Sequence, residues 1–370
     1  MQKSLWKAFC SVVCLVTLTS LASGQPGASE APTVFAISSW APSSTNTSQM
    51  LAGISPDGIK EIAELSGTVS YGMDEETMAF LQTPSSVSRN PSLLVVNRRT
   101  SNIIAEKKLK DFQNGFYPVI WKVGVGFLTV RSKGSTAYIP LFNGHSFAVA
   151  EVNWNTGEIR PLPLPTTKGA ERWEITALYS VPPGIAVERG PYLTIFDPAK
   201  DATVLALDNA GSNLRPTGNY YAFPGFGLVQ SIRTQDMLYH ITQKDFSTMI
   251  PSPTGVSYPD SIKNLIAYSR PTPCIIGGKP CLIWGETQAG APRNSISQIV
   301  VFDLQAQKEL LRKSLGAGFL SGFLTDSAGQ NIYFINSRAR EIFRLNLDSQ
   351  KINSFAKLGT NRFEYWVAAN

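Results

Sequence analysis

Short apolar runs recur along this chain. Each ends on a small polar residue, turns, and resumes about six residues later. The runs are LLVVN to Ile103, VAEVN to Ile159, LTIFD to Thr203, LYHIT to Thr248, IVVFD to Leu310 and IFRLN to Ile352, with MLAGIS to Ile62 as a weaker first copy. Short apolar runs bounded by turn residues read as strands, and no helical spacing intervenes. The residues closing the first strands are Ser55, Asn97, Asn153, Asp197, Thr242, Asp303 and Asn346, separated by 42, 56, 44, 45, 61 and 43 positions. Each can hydrogen-bond the amides of its own turn, which explains why Asn, Asp, Ser and Thr recur there.

Seven hairpins at this period predict an all-β protein of radial blades, a seven-bladed β-propeller of four strands per blade. The last unit is the clearest: GFLSGFLTD, NIYFIN, EIFRLNL and KINSFAK. The pattern assigns residues 67–110 to blade two, 111–167 to blade three, 168–209 to blade four, 210–254 to blade five, 255–315 to blade six and 316–358 to blade seven. The two long separations place insertions in blades three and six, the latter holding the segment CIIGGKPC and the polar loop GETQAGAPRNS. Blade one has only TVFAISSW, MLAGIS and KEIAEL, so it lacks a strand. The terminal RFEYWVAA supplies it, pairing beside Val34–Ser38 and closing the ring without an open edge.

Composition fits strands and turns: charged residues are 16% of the chain and aromatics 10%, with 29 Gly and 24 Pro. The first residues have the parts of an export signal, with Lys3 and Lys7 ahead of an apolar run from Ala8 to Leu21 and then Ala22-Ser23-Gly24. Residues 1–24 are read as a signal peptide, 25–32 as a disordered leader and 33–370 as one propeller domain. The protein is then exported, periplasmic or extracellular, and has no membrane span. Removing two lysines and no acid lowers the formal charge from +6 to +4, without a basic block that would suit nucleic acid. Cys274 and Cys281 flank Gly277-Gly278, and in an oxidising compartment a disulfide is expected to staple this hairpin.

The stretch NIYFINSRAREIFRLNLDSQKI resembles the YVTN-like repeat of secreted bacterial seven-bladed propellers. That resemblance implies architecture only. The group includes lactonases, dehydrogenase subunits, lyases and proteins of no assigned activity, so no single reaction follows from it.

Candidate chemistry is sought where segments lead into innermost strands, because several blades converge there. Those segments read GTVSYGM, NGFYPVIW, AERWEIT, TGNYYAF, SYPDSIKN, AGFLSGF and TNRFEYW. Two share Arg-aromatic-Glu: Arg172-Trp173-Glu174 and Arg362-Phe363-Glu364. In the functional reading Arg172, Glu174, Arg362 and Glu364 line a channel mouth, with Trp173, Tyr71, Tyr221 and Tyr258 as stacking surfaces. The bland reading, aromatics packed between blades and charges paired for register, is the commoner outcome in sheets. Signals of catalysis are thin. His145 and His240 lie in different blades, no Gly-x-Ser-x-Gly occurs, and Asp74-Glu75-Glu76 reads as a solvated turn.

The leading expectation is a monomeric binding scaffold for a small molecule or protein. The alternative is a lactonase-like hydrolase or lyase holding a divalent metal on Glu174, Asp260 and Glu364.

Overall fold

Among the described residues the apolar runs become thirty short strands, almost all paired with a neighbour in sequence. The first sheet contains β1 (Val34–Ser38), β2 (Ser48–Ser55) and β3 (Gly58–Ser66). The second contains β4 (Thr68–Met73), β5 (Thr77–Thr83), β6 (Ser92–Asn97) and β7 (Ile103–Lys108). In the third, β8 (Tyr117–Pro118) is followed by a short β9 (Gly124–Val125) and then β10 (Thr129–Arg131). That sheet continues with β11 (Thr136–Phe142), β12 (Phe147–Asn153) and β13 (Ile159–Pro161). The fourth holds β14 (Ile175–Ser180), β15 (Ile185–Arg189), β16 (Tyr192–Asp197) and β17 (Ala202–Asp208). The fifth holds β18 (Tyr220–Phe223), β19 (Gly227–Ile232), β20 (Met237–Ile241) and β21 (Val256–Ser257). The sixth holds β22 (Thr272–Ile276), β23 (Lys279–Glu286), β24 (Ile296–Asp303) and β25 (Lys308–Gly318). The seventh holds β26 (Leu320–Thr325), β27 (Asn331–Asn336), β28 (Glu341–Asn346) and β29 (Ile352–Lys357), and β30 (Phe363–Ala369) ends the chain.

This computed structural model describes residues 33–38, 48–83, 91–110, 112–120, 124–125, 128–162, 164, 173–181, 184–190, 192–208, 220–223, 227–232, 237–241, 256–257, 271–286, 296–318, 320–336, 339–361 and 363–370. Those residues form seven sheets. Innermost strands of successive sheets touch: β4 with β10, β10 with β14, β18 with β22, β22 with β26, and β26 with β30. The ring is closed by β30, which pairs antiparallel with β1 so that Val34 faces Ala369 and Ile37 faces Tyr365. The first sheet is therefore ordered β3-β2-β1-β30, and the chain is a β-propeller joined through its C-terminal strand.

Packing explains why both faces of the strands are apolar. Phe35 and Ile37 from the first sheet share a core with Tyr71, Phe80 and Leu94 from the second. Val34 and Ala36, on the opposite face of the same strand, share another with Tyr333, Ile335 and Phe355 of the seventh. A strand sandwiched between two sheets buries residues of both parities.

The polar anchors act as their chemistry predicts. Asn97 Oδ1 accepts from the Thr100 amide at 2.9 Å, Asn153 Oδ1 from Asn155 and Thr156 at 3.0 Å each, and Asp197 Oδ1 from Ala199 at 3.0 Å. Asp303 Oδ1 accepts from Gln305 at 2.8 Å, and Asn346 Oδ1 from Ser349 at 2.9 Å. Four positions after each anchor the backbone turns left-handed, at Ser101, Gly157, Asp201, Gln307 and Gln350.

Three expectations are corrected. First, Cys274 and Cys281 face each other across β22 and β23 but are free thiols here, with Cys274 Sγ donating to the Cys281 carbonyl at 3.4 Å. Burial pushes both thiols up, Cys281 to about 12; the neighbouring Cys281 raises Cys274 further, and Asp303 raises Cys281 while Lys279 opposes it. Second, the cysteine hairpin is not an insertion: it is the two innermost strands of the sixth sheet. The described outer strand of the fifth sheet lies at Val256–Ser257; Thr248, expected to open that strand, lies outside the described residues. Third, the innermost strand of the third sheet is broken into β8 and β10, both pairing with β11. Between them the chain leaves its own sheet, and β9 pairs in parallel with β4 of the second.

Candidate functional site

The propeller has two unlike faces. Innermost strands begin on one of them, the loop face, where Ser38, Thr83 and Glu286 also end their strands. On the other, the turn face, the described connections are tight, as at residues 74–76, 98–102, 198–201 and 304–307.

The turn face is sewn from sheet to sheet. Arg98 at the end of β6 donates to the Ala369 carbonyl of β30 at 2.7 Å. Asp74 accepts from Glu76, Thr77 and, through Oδ2, the Ser132 amide of the third sheet at 2.6 Å. Asp74 is thus a junction between sheets rather than a purely solvated turn residue. Arg160 of β13 pairs with Asp201 of the fourth sheet at 2.9 Å. At Gly329 the backbone comes so close to the sixth sheet that a Cβ would lie 2.3 Å from the Ile275 carbonyl oxygen. These contacts use the polar groups of this face for closure.

At the ring centre, β9 lies along the free inner edge of β4. Beyond β9, Gly72 admits the main chain ahead of β10 to the same edge, because a Cβ there would lie 2.1 Å from the Leu128 carbonyl oxygen. The wall formed by the second sheet is consequently covered. Tyr71, expected as a stacking surface, is 3% exposed and packs 6.1 Å from Phe80 in the core between the first two sheets. Burial, with Tyr365 nearby, holds its hydroxyl well above the ordinary phenol range. It presents no face to a ligand.

Trp173 behaves differently. It immediately precedes Glu174 and β14, and it is 50% exposed. Its indole rests on Gly190, at the turn between β15 and β16: a Cβ on Gly190 would lie 2.5 Å from Cε3 and 2.8 Å from Cδ2. Gly190 has φ +48°, a left-handed conformation that glycine takes without steric cost. Glu174 is also exposed. The equivalent aromatic of the first sheet, Phe363, is partly buried, 5.7 Å from Trp366 in the core against the seventh sheet. The two Arg-aromatic-Glu triplets therefore share a pattern but not a role.

Of the other candidates, Arg172, Arg362, Tyr258 and Asp260 lie outside the described residues. Tyr221 is placed on β18 opposite Val229. Glu364 is the extra residue at a bulge of β30, where Ser38 pairs with Phe363 and Ile37 with Tyr365, so simple alternation no longer sets its direction. The described innermost strand of the sixth sheet, β22, begins at Thr272. Among the described residues, no group of three His, Cys, Asp or Glu could hold a metal ion.

One polar pair had no sequence signal. On the fourth sheet the Tyr179 hydroxyl donates to Glu188 Oε2 at 3.0 Å. Burial raises the Glu188 pKa, and the hydrogen bonds from Tyr179 and Thr176 act the other way. Gly190 was equally silent, since "RGP" announces only a turn. A small apolar cavity of about 40 Å³ lies beside Phe112, Phe116 and Ile159 of the third sheet. It has room for a few water molecules at most, not for a side-chain anchor or a sugar ring.

No protein family matches this chain, and no curated protein does. Solved structures do. Dihydro-heme d1 dehydrogenase NirN, in complex with DHE, aligns with TM-score 0.52 at 13% identity, over 90% of this chain and 65% of that one. This chain thus spans somewhat less than two thirds of that protein's length. Kluyvelomyces marxianus Hsv2 aligns with TM-score 0.45 at 9% identity, over 76% and 77%. The tricorn protease aligns with TM-score 0.46 at 12% identity, over 90% and 35%. At such identities the likeness to NirN is one of fold, the β-propeller, and carries no reaction.

Proposed function

We propose that this protein is an exported β-propeller that binds a small molecule or a protein through its loop face. The observation that carries the proposal is the inequality of the two faces. Polar groups of the turn face are consumed in joining sheets, as at Arg98–Ala369, Asp74–Ser132 and Arg160–Asp201. The loop face carries a tryptophan that stays half exposed while its ring is seated on Gly190. Long loops on a rigid scaffold are where recognition concentrates. Trp173 and Glu174 are placed at the centre of the site, with Arg172, Tyr221, Arg362 and Glu364 as further members.

Export rests on the Lys3-Lys7 and Ala8–Leu21 pattern, with residues 1–24 removed and 25–32 as a leader to one domain. Among the described residues no helix is long and apolar enough to cross a membrane. The protein is taken as a monomer of the periplasm or the exterior. The lactonase-like alternative needs Glu174, Asp260 and Glu364 to converge on a metal, and no described geometry favours it.

Differential hydrogen exchange against a library of glycans, organic acids and peptides tests the reading. Bound ligands should slow exchange at Trp173–Ile175 and Arg189–Gly190. Protection confined to the turns at Ser101, Gly157 and Gln350 would place binding on the opposite face and defeat it.

A further inference from the structure

We infer that Trp173 is a stacking platform for a saccharide ring and that Gly190 is the residue that positions it. The inference rests on the loop-face reading above and gives it a ligand class. Three observations carry it. The indole is half exposed, although large aromatic faces are normally withdrawn from water. The other exposed large apolar residues, Ile103, Ile104 and Leu310, are aliphatic and lie on the outermost strands β7 and β25, away from the inner strands. Second, the side chain is fixed rather than loose. Three of its ring atoms lie where a Gly190 Cβ would be within 3.2 Å, so the benzo ring sits flat against a turn that only glycine leaves open. One face is thereby seated, and exposure falls on the other. Third, Phe363 holds the matching position in the first sheet and is packed against Trp366, so the repeat itself does not demand an outward aromatic.

A fixed, flat, solvated apolar surface with a carboxylate next along the chain suits a ligand with one C–H face and hydroxyl edges. A pyranose stacks its axial hydrogens on such a ring and donates hydroxyls to a carboxylate such as Glu174. A cation would ask for more negative charge about a drier ring. A peptide anchor would ask for a pocket, and the one cavity described beside these sheets is too small and is lined by the third sheet.

The test is titration of the mature protein with maltotriose, cellotriose and chitotriose, read by tryptophan fluorescence and by the indole N–H signals of an NMR spectrum. At least one trisaccharide should bind and shift the Trp173 signal. Trp173→Ala should weaken it at least tenfold, and Trp173→Phe should retain part of the affinity. Gly190→Ala should weaken it severalfold by unseating the ring; if that variant unfolds, the two Trp173 variants still decide. Absence of binding at millimolar sugar, or binding indifferent to Trp173→Ala, overturns the inference. Choline or a peptide engaging Trp173 in place of sugars also overturns it, while leaving the loop-face reading intact. A sugar that protects only the turn face removes both.

Discussion

Arg98 and Ala369 stand 271 residues apart in the chain and are joined by a 2.7 Å hydrogen bond from the guanidinium to a main-chain carbonyl. The same side chain donates to the Asp74 carbonyl, so one buried cation holds the terminal strand, the second sheet and its first turn. Burial pulls the guanidinium below its usual pKa, and the charges of Asp74 and Glu75 push it back. Arg98→Met keeps the stem and deletes these bonds. It should lower the unfolding free energy by about 2–3 kcal/mol, measured by urea denaturation. An unchanged midpoint would mean that the latch is ornamental.

The repeated turn offers a test in the stabilising direction. Gln307 and Gln350 hold φ +52° and +53° after their anchors, where the third sheet has Gly157. A left-handed backbone costs a non-glycine residue roughly 1–2 kcal/mol, offset in part by the greater chain entropy of glycine. Gln307→Gly and Gln350→Gly should each stabilise by about 0.5–1 kcal/mol, seen as a rise in Tm. A fall in either would show that the turn is not strained.

The covered inner edge of β4 depends on Gly72. A methyl group there has no space against the Leu128 carbonyl, so backbone must move. Gly72→Ala should cost about 1–3 kcal/mol or more and loosen β9 from β4, visible as faster amide exchange at Gly124 and Val125.

Glu188 gives stability a pH dependence. Its folded pKa is raised from the ordinary 4.5, so the folded state binds a proton more tightly than the unfolded chain. The contribution is full below 4.5 and is lost as pH rises through the folded value. Glu188→Gln removes the titration while keeping an acceptor for the Tyr179 hydroxyl. Its urea midpoint should exceed the parent's at neutral pH and converge with it in acid. A constant difference across pH would contradict the assignment.

Much of the architecture was legible because it is written locally. Asn97, Asn153, Asp197, Asp303 and Asn346 each bond their own turn, so the anchor residue and the fold require the same side chain. The lone aromatic tail of the chain was legible for the same reason, as a strand of residues 363–369 without a neighbour in sequence. Non-local pairing was not legible. The 61-residue separation of Thr242 and Asp303 marks the cysteine hairpin as an insertion, yet Thr272–Ile276 and Lys279–Glu286 are strands of the sixth sheet. The excursion that places β9 on β4 and the seat of Trp173 on Gly190 are contacts between segments whose own patterns say nothing of each other. Tyr71 and Trp173 both belong to segments leading into innermost strands, but Tyr71 lies within β4 and Trp173 ahead of β14, and the packing there makes one a core residue and leaves the other exposed.

The most direct measurement is residue-resolved hydrogen exchange of the terminal strand in the native protein. Closure of the ring predicts that amides of Phe363–Ala369 in the β1 ladder exchange as slowly as those of Val34–Ile37, through the same global opening. Fast exchange at Tyr365–Ala368 while β1 stays protected would show a frayed end, and the ring described here would be open.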